Sequence, residues 1–278
     1  MKGLIKAIVP KKWRPLAQEL YGCLNIRTPR RRYLYRGANS LSVLQCAVSY
    51  NRYGGYCVPT SSRHRPAAKA VLSGQVYEPQ TIEYMIANCG NRDIVHAGTF
   101  FGDFLPALSA ALDSNALLWA YEPNLENFRC ARITIELNGA LNIRLTHAGL
   151  GAKGQQLFVA TCDANGKPLG GASHIVNELS GPKNARPVEI VSIDDVIPSE
   201  RDIGILQLDV EGYEKNALSG ALTTIHRCLP ILILEVLPDS DLEESEWFSE
   251  TILSLGYAKI TKLHGNSVYS AHPKQVSD

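Results

Sequence analysis

The chain has 278 residues, 45% of them hydrophobic and 20% charged, with a formal net charge of +1, enough for one substantial α/β core with a smaller region appended. No apolar run approaches the roughly 18 residues of a membrane span, and the basic N-terminus lacks the apolar core and small-residue cleavage site of a secretory signal, so a soluble cytoplasmic enzyme is expected. The seven cysteines are scattered and form no C-x-x-C pair, pointing to neither a zinc site nor a disulfide framework; Cys46, between apolar neighbours, reads as a small buried hydrophobe.

Charge is unevenly spread. Residues 1–36 carry ten Lys/Arg against Glu19, a net of +9 that leaves −8 for the rest. Basic residues interleaved with Leu4, Ile5, Ile8, Val9 and Trp13 suit peripheral contact with an anionic membrane or other acidic surface, although a solvated arm is the commoner use of such a run. No nucleic-acid partner is expected, and oligomeric state is left open.

Residues 1–73 form the first predicted unit, a basic and aromatic extension or cap punctuated by prolines, with a turn at Tyr50–Tyr56. The second unit, 74–278, begins with a helix from Pro79 to Asn88 that sets Ile82, Met85 and Ile86 on one face. Strands are then predicted over Ile94–Ala97, Leu117–Tyr121, Ile143–Ala148, Glu189–Ile193, Ile205–Leu208 and Ile231–Val236. Helices are predicted over Leu105–Leu112, Leu125–Leu137 (apolar at Phe128, Ile133 and Leu137), Ala217–Ile225 and Trp247–Leu255. The alternation implies a parallel sheet covered on both faces, which Tyr257–Leu263 and Ser267–Ala271 close as an antiparallel hairpin. Residues 163–187, rich in Gly, Asn, Pro and Ser, read as a mobile loop at the carboxyl edge of the strands.

The most informative local pattern is Asp93-Ile-Val-His-Ala-Gly-Thr-Phe-Phe-Gly102, followed by Leu117-Leu-Trp-Ala-Tyr-Glu-Pro123. A buried strand leads to Gly98 and Gly102, where backbone can approach a ligand, and Glu122 follows the second glycine by 20 residues at the end of the next strand. A carboxylate there accepts from both hydroxyls of a ribose. An ordinary strand–helix turn and a solvated strand end are the plainer alternatives.

Four segments in order now carry a resemblance: the glycine turn, Tyr121-Glu-Pro-Asn124, Ile205-Leu-Gln-Leu-Asp-Val-Glu-Gly-Tyr-Glu214 with Ser219-Gly-Ala221, and Pro230-Ile-Leu-Ile-Leu-Glu-Val236. Together they resemble the FkbM family of S-adenosylmethionine-dependent methyltransferases over roughly 74–271; Asp209-Val-Glu-Gly-x-Glu214 is the most specific element. The resemblance implies a Rossmann-like methyltransferase fold, a mostly parallel seven-stranded sheet with a C-terminal antiparallel hairpin. It also implies S-adenosylmethionine as cofactor and O-methylation of a sugar, glycan or secondary-metabolite hydroxyl. Two positions depart from the family pattern: His96 stands where an acid is usual, and Gln207 where a lysine is usual.

Candidate residues follow from the two readings combined. Gly98, Thr99, Phe100 and Gly102 form the turn, whose amides, with the next helix's positive end, suit the methionine carboxylate. Glu122 and Asn124 suit the ribose, Ala148 and Gly149 (with His147) the adenine, and Glu78 and His96 the cofactor's vicinity; His96 also reads as a satisfied core imidazole. Asp209 suits the sulfonium or the methionine ammonium, with structural hydrogen bonding as its rival. Glu211 is the leading general base if the strand's alternation continues to it, and His174 is a second candidate base. Glu235 shapes a substrate pocket or makes an ion pair; Glu214 serves its helix. Tyr53, Tyr56, Arg63 and Arg65 are the acceptor contacts. No metal is assigned. The alternatives are a methyltransferase-fold binding module that has lost its reaction and an NAD-dependent oxidoreductase; against the latter, the turn is G-x-x-x-G.

Overall fold

The structure, a computed structural model, describes residues 43–176 and 185–271. The basic N-terminal segment lies outside them. The described residues belong to one compact unit that starts at Val43.

That unit opens with a hairpin, β1 (Cys46–Asn51) and β2 (Gly54–Pro59), and a short helix, α1 (Pro66–Leu72). Then come α2 (Pro79–Asn88), β3 (Asp93–Ala97), α3 (Leu105–Ala111), β4 (Leu118–Tyr121), α4 (Leu125–Asn138) and β5 (Ile143–Thr146). Next are β6 (Gly149–Leu150), β7 (Gln155–Ala160), β8 (His174–Val176), β9 (Arg186–Val191), α5 (Ile193–Val196) and β10 (Ile203–Leu208). The remainder is α6 (Glu214–Ser219), α7 (Leu222–Cys228), β11 (Ile231–Glu235), α8 (Glu246–Thr251), β12 (Ala258–Leu263) and β13 (Asn266–Ser270).

Seven strands form one sheet in the order β12-β13-β11-β10-β3-β4-β5, parallel except for β13, which is antiparallel to both neighbours. This is the Rossmann-like methyltransferase arrangement that the sequence predicts, hairpin included. Every residue of β3 and β10 is buried, as expected of central strands covered on both faces. Ile94, Ile205, Ile233 and Val268 face one core, against α2 and α3; Val95, Leu206, Leu232 and Leu234 face the other, with Ile225 and Phe248. The chain runs outward from β3 through β4 to β5, then returns to β10 on the opposite side of β3. The switch point therefore lies between β3 and β10, and its carboxyl-end crevice is where ligands of such sheets bind.

Several expectations are corrected. The strand expected at Glu189–Ile193 is β9, and it joins a separate four-stranded sheet, β6-β9-β7-β8, because its partner β6 turns out of the main sheet just after β5. The expected mobile loop contains ordered structure: Cys162 and Pro168 bridge, and His174–Val176 pairs with β7. Residues 177–184 lie outside the described part. The sequence reading divides the chain at 73, whereas residues 43–72 pack into the same unit as the sheet.

The buried face of α4 is Asn127, Cys130, Ala131 and Thr134, while Leu137 is exposed. The reason is its neighbour: the hairpin offers backbone groups, so Thr134 accepts from Cys57 N (3.0 Å) and Asn138 bonds both N and O of Gly55 (3.0 and 2.7 Å). Cys46 is exposed on outer strand β1, and Cys57, Cys89, Cys130 and Cys228 are the buried thiols among the described residues. No helix among the described residues is long and apolar enough to cross a membrane.

Candidate active site

Two adjoining clefts open at the switch point. The first, about 430 Å³, is lined on the β3–β4 side by Gly98, Tyr121, Glu122 and Pro123, and elsewhere by Ala148, Gly149, Ile175 and Tyr213. The second, about 680 Å³, holds Glu78, His96, Asp103, Gln207, Glu211 and Glu235, with Arg65 at its edge. Gly98, Gly171 and Asp209 border both.

The glycine turn builds the junction. Gly98 N donates to Tyr121 O (3.1 Å), and Asp209 N donates to Ala97 O (3.1 Å), which sews the ends of β3, β4 and β10 together. Gly98 has φ +84°, and a Cβ there would collide with the Asp209 carbonyl, so close approach fixes this glycine. Gly102 serves differently: its neighbours are Leu105 and Ala131, and it borders neither cleft. The turn's amides are largely spent inside the protein. Phe100 N donates to the Glu122 carboxylate and Gly102 N to Thr99 O, with α3 starting three residues later, so the expected carboxylate cradle is not formed by these amides. Thr99 is buried away from the clefts, whereas Phe100 lines the second.

Glu122, 3% exposed, receives the Phe100 and Asn124 amides at 2.7 Å, one on each oxygen. Oε1 also accepts from Asn127 Nδ2 (3.4 Å), so Oε2 is the oxygen that keeps a lone pair for a further donor. Burial pushes its carboxyl up to about 8, against those two amides and Asn127. Asn124 is fully occupied instead as the cap of α4, accepting from Glu126 N (3.0 Å) and donating to Ser173 Oγ (2.9 Å), and lines no cleft. Ala148 and Gly149 reach the first cleft, but His147 turns its Nε2 to Pro123 O (3.1 Å).

Acids dominate the second cleft. Glu211 does not arrive by strand alternation: β10 ends at Leu208, and Glu211 sits in a left-handed turn at φ +54°. One oxygen each of Asp209, Glu211 and Glu235 nevertheless lies within 4.8 Å of the others. Burial, then a hydrogen bond to Glu235, holds the Asp209 carboxyl well above the carboxylate range. Burial and the Glu235 charge push Glu211 up to about 7, with Arg65 opposing. Burial also raises Asp103 to about 7 and, against bonds from Thr81 and Asn266, raises Glu78. Glu78 and Phe100 are left-handed as well. Among the described residues, three of the five non-glycine residues with positive φ thus border this one cleft, which is where strained backbone gathers when geometry serves function.

The two departures from the family pattern satisfy each other. His96 Nδ1 bonds the Gln207 side-chain oxygen, an acceptor only, so Nδ1 carries the proton and Nε2 offers a lone pair. Burial holds His96 down to about 4, so the ring is neutral, stacked on Phe104 at 5.3 Å. Nε2 has no partner.

Other expected residues are not brought in. His174 lies in β8 with Nδ1 on Ala172 O (3.2 Å) and borders neither cleft. Of the four acceptor contacts only Arg65 lines the site. Tyr56 is wholly buried and donates to Asn51 Oδ1 (3.1 Å), Tyr53 stacks under Arg52, and Arg63 is exposed. Glu214 accepts from Gly212 N (3.0 Å) at the start of α6 and stays out of the site. Asp103, Tyr213, Ser173 and Ile175 escaped the sequence reading. Asp103 directly follows the glycine turn and Tyr213 is the variable position of the Asp209–Glu214 motif, so both were legible; Ser173 and Ile175 come from a segment with no motif.

No curated protein matches the chain. Among solved structures it is similar to a methyltransferase FkbM from Methylobacillus flagellatus, at 18% identity and a TM-score of 0.45, over 65% of this chain and 44% of that one. This chain therefore spans less than half the length of that protein. It is also similar to a SAM-dependent methyltransferase from Aquifex aeolicus (14%, TM-score 0.38, 74% and 92% covered). A third is a Pyrococcus abyssi tRNA (uracil-54, C5)-methyltransferase, crystallised with S-adenosyl-L-homocysteine (9%, 0.42, 81% and 43%). The family model described as Methyltransferase FkbM domain matches residues 88–258, which is more than half of the chain and spans the glycine turn, Glu122, Asp209, Glu211 and Glu235. The chain belongs to the FkbM methyltransferase family.

Proposed function

We propose that this protein transfers a methyl group from S-adenosylmethionine to a hydroxyl oxygen of a sugar, glycan or secondary metabolite. The carrying observation is the pair of clefts joined at Gly98 and Asp209. The first offers a buried ribose-type acceptor, Glu122, beside the apolar walls Leu150, Ile175 and Tyr213, which suits adenosine. The second gathers acids beside the junction, which suits the sulfonium and the methionine ammonium. Asp209, bordering both, stands where the positive sulfur would lie.

Methyl transfer is an in-line displacement: the O–C bond forms as the C–S bond breaks, and the electron pair stays on sulfur. Positioning of the three atoms and exclusion of water supply much of the rate. The acceptor's proton must also leave, and Glu211 is the proposed base that takes it. The mutual bond of His96 and Gln207 supports a built replacement of the usual residues rather than a decayed site.

Methyl-labelled S-adenosylmethionine, offered with a panel of neutral sugars, nucleotide sugars and polyketide alcohols, tests the reading. Label on oxygen is expected, with Glu211→Gln lowering turnover by about 10²-fold or more while S-adenosylhomocysteine binding persists. Label on nitrogen or carbon, or undiminished turnover in the variant, contradicts it; cofactor binding without transfer across the panel favours a binding module.

A further inference from the structure

Among the described residues that line the second cleft, acids outnumber cations: five are acids, Glu78, Asp103, Asp209, Glu211 and Glu235, and Arg65 is the single Lys or Arg. Three of the acids converge for a reason visible in the sheet. Asp209 follows β10 and Glu235 ends β11; the register that pairs Gln207 with Ile233 and Leu208 with Leu234 brings these acids side by side on one face. Glu211 reaches them from its left-handed turn. Ligand oxygens on opposite sides of an Mg²⁺-sized ion, each about 2.0–2.1 Å away, are about 4.2 Å apart, so three carboxylate oxygens within 4.8 Å of one another converge on a single such ion after a small side-chain adjustment.

A second observation is independent of the acids. His96 lies on the same face, paired with Gln207, two residues before Asp209. It is 3% exposed and borders the same cleft; with Nδ1 held by Gln207, its Nε2 lone pair has no partner among the described residues. Glu235 Oε2 is likewise buried without a partner among them. Unpaired buried acceptors call for a donor such as an ion-bound water or hydroxyl, and the converging carboxylates beside them call for the ion.

We propose that Asp209, Glu211 and Glu235 hold a divalent cation of the oxygen-preferring kind, Mg²⁺ or Mn²⁺, at the acceptor end of the cleft. This departs from the sequence reading, which assigns no metal. It rests on the reading of this cleft as the place of methyl transfer, and adds the means of ionising the acceptor: a hydroxyl bound to the ion loses its proton more readily. One oxygen per carboxylate suffices for ligation, which leaves the other oxygen of Glu211 to take that proton. The oxygen then attacks the methyl carbon, and the C–S electron pair remains on sulfur.

The test is titration of the full-length protein with MnCl₂, followed by the paramagnetic resonance of free Mn²⁺, with and without S-adenosylhomocysteine. One saturable Mn²⁺ per chain is expected, displaced by Mg²⁺ and weakened at least about tenfold in Glu235→Gln, with S-adenosylhomocysteine still bound by that variant. Glu211→Gln, altered outside the sheet, is the second variant should Glu235→Gln fail to fold. No saturable binding up to millimolar Mn²⁺, or equal binding by the variants, overturns the ion site. S-adenosylhomocysteine binding without Mn²⁺ leaves the cofactor reading standing; Mn²⁺ binding without S-adenosylhomocysteine does the reverse.

Discussion

Glu122 shows what one residue contributes and how it can be isolated. Its folded carboxyl sits at about 8 against an ordinary 4.5 because it is buried. Between those values the folded chain keeps a proton that the unfolded chain has lost, so the stability tied to this group is full below about 4.5 and is lost as pH rises through about 8. The slope cannot exceed about 1.4 kcal/mol per pH unit. Urea unfolding at pH 5.5 and 7.5 should therefore show wild type losing stability relative to Glu122→Gln as pH rises; parallel losses would refute this. Glu122 was legible because an acid at a set distance after a strand–glycine turn has a mechanical meaning. Glu211 was legible by type but not by route, since a left-handed turn, rather than strand alternation, delivers it. Asn124 was misread because capping a helix and binding a ribose use the same side-chain groups.

At the scale of elements, the carboxyl end of β3 carries the site and its amino end carries the anchor. Asp93 is 2% exposed and is held by Arg201 through two bonds, by Trp119 Nε1 (2.8 Å) and by Leu117 N (2.8 Å). These tie β3 to β4 and to the segment entering β10, the strands on whose ends Gly98, Glu122 and Asp209 stand. Arg201→Ala should cost about 3–5 kcal/mol by leaving a buried charge, read as a lower urea midpoint with unchanged denaturant slope; a loss below about 1 kcal/mol would show that the anchor is dispensable. Asp93 opens the glycine-turn pattern in the sequence, and the structure gives it this anchoring use. Helix α4 was harder to read, because its buried stripe is polar and periodicity finds apolar stripes. The small sheet β6-β9-β7-β8 was missed because β6 has only two residues and β8 only three.

For the whole molecule, alternating strands and helices with a closing hairpin sufficed to predict the main sheet, and the switch point between β3 and β10 then locates the clefts. The second sheet adds what local patterns do not contain: Gly149 and Ile175 come from it to wall the first cleft. The acceptor contacts were expected from aromatic and arginine content alone; the structure puts Tyr56 in the core, Tyr53 under Arg52 and Arg63 at the surface, and only Arg65 at the cleft. The central claim is that these clefts hold S-adenosylmethionine. It is tested most directly by calorimetric titration with S-adenosylhomocysteine and with NAD, on wild type and Glu122→Ala. Saturable binding of one S-adenosylhomocysteine per chain, weakened at least about tenfold in the variant by loss of its hydrogen bonding to the ligand, with no heat from NAD, is the predicted result; binding of NAD without S-adenosylhomocysteine would contradict it.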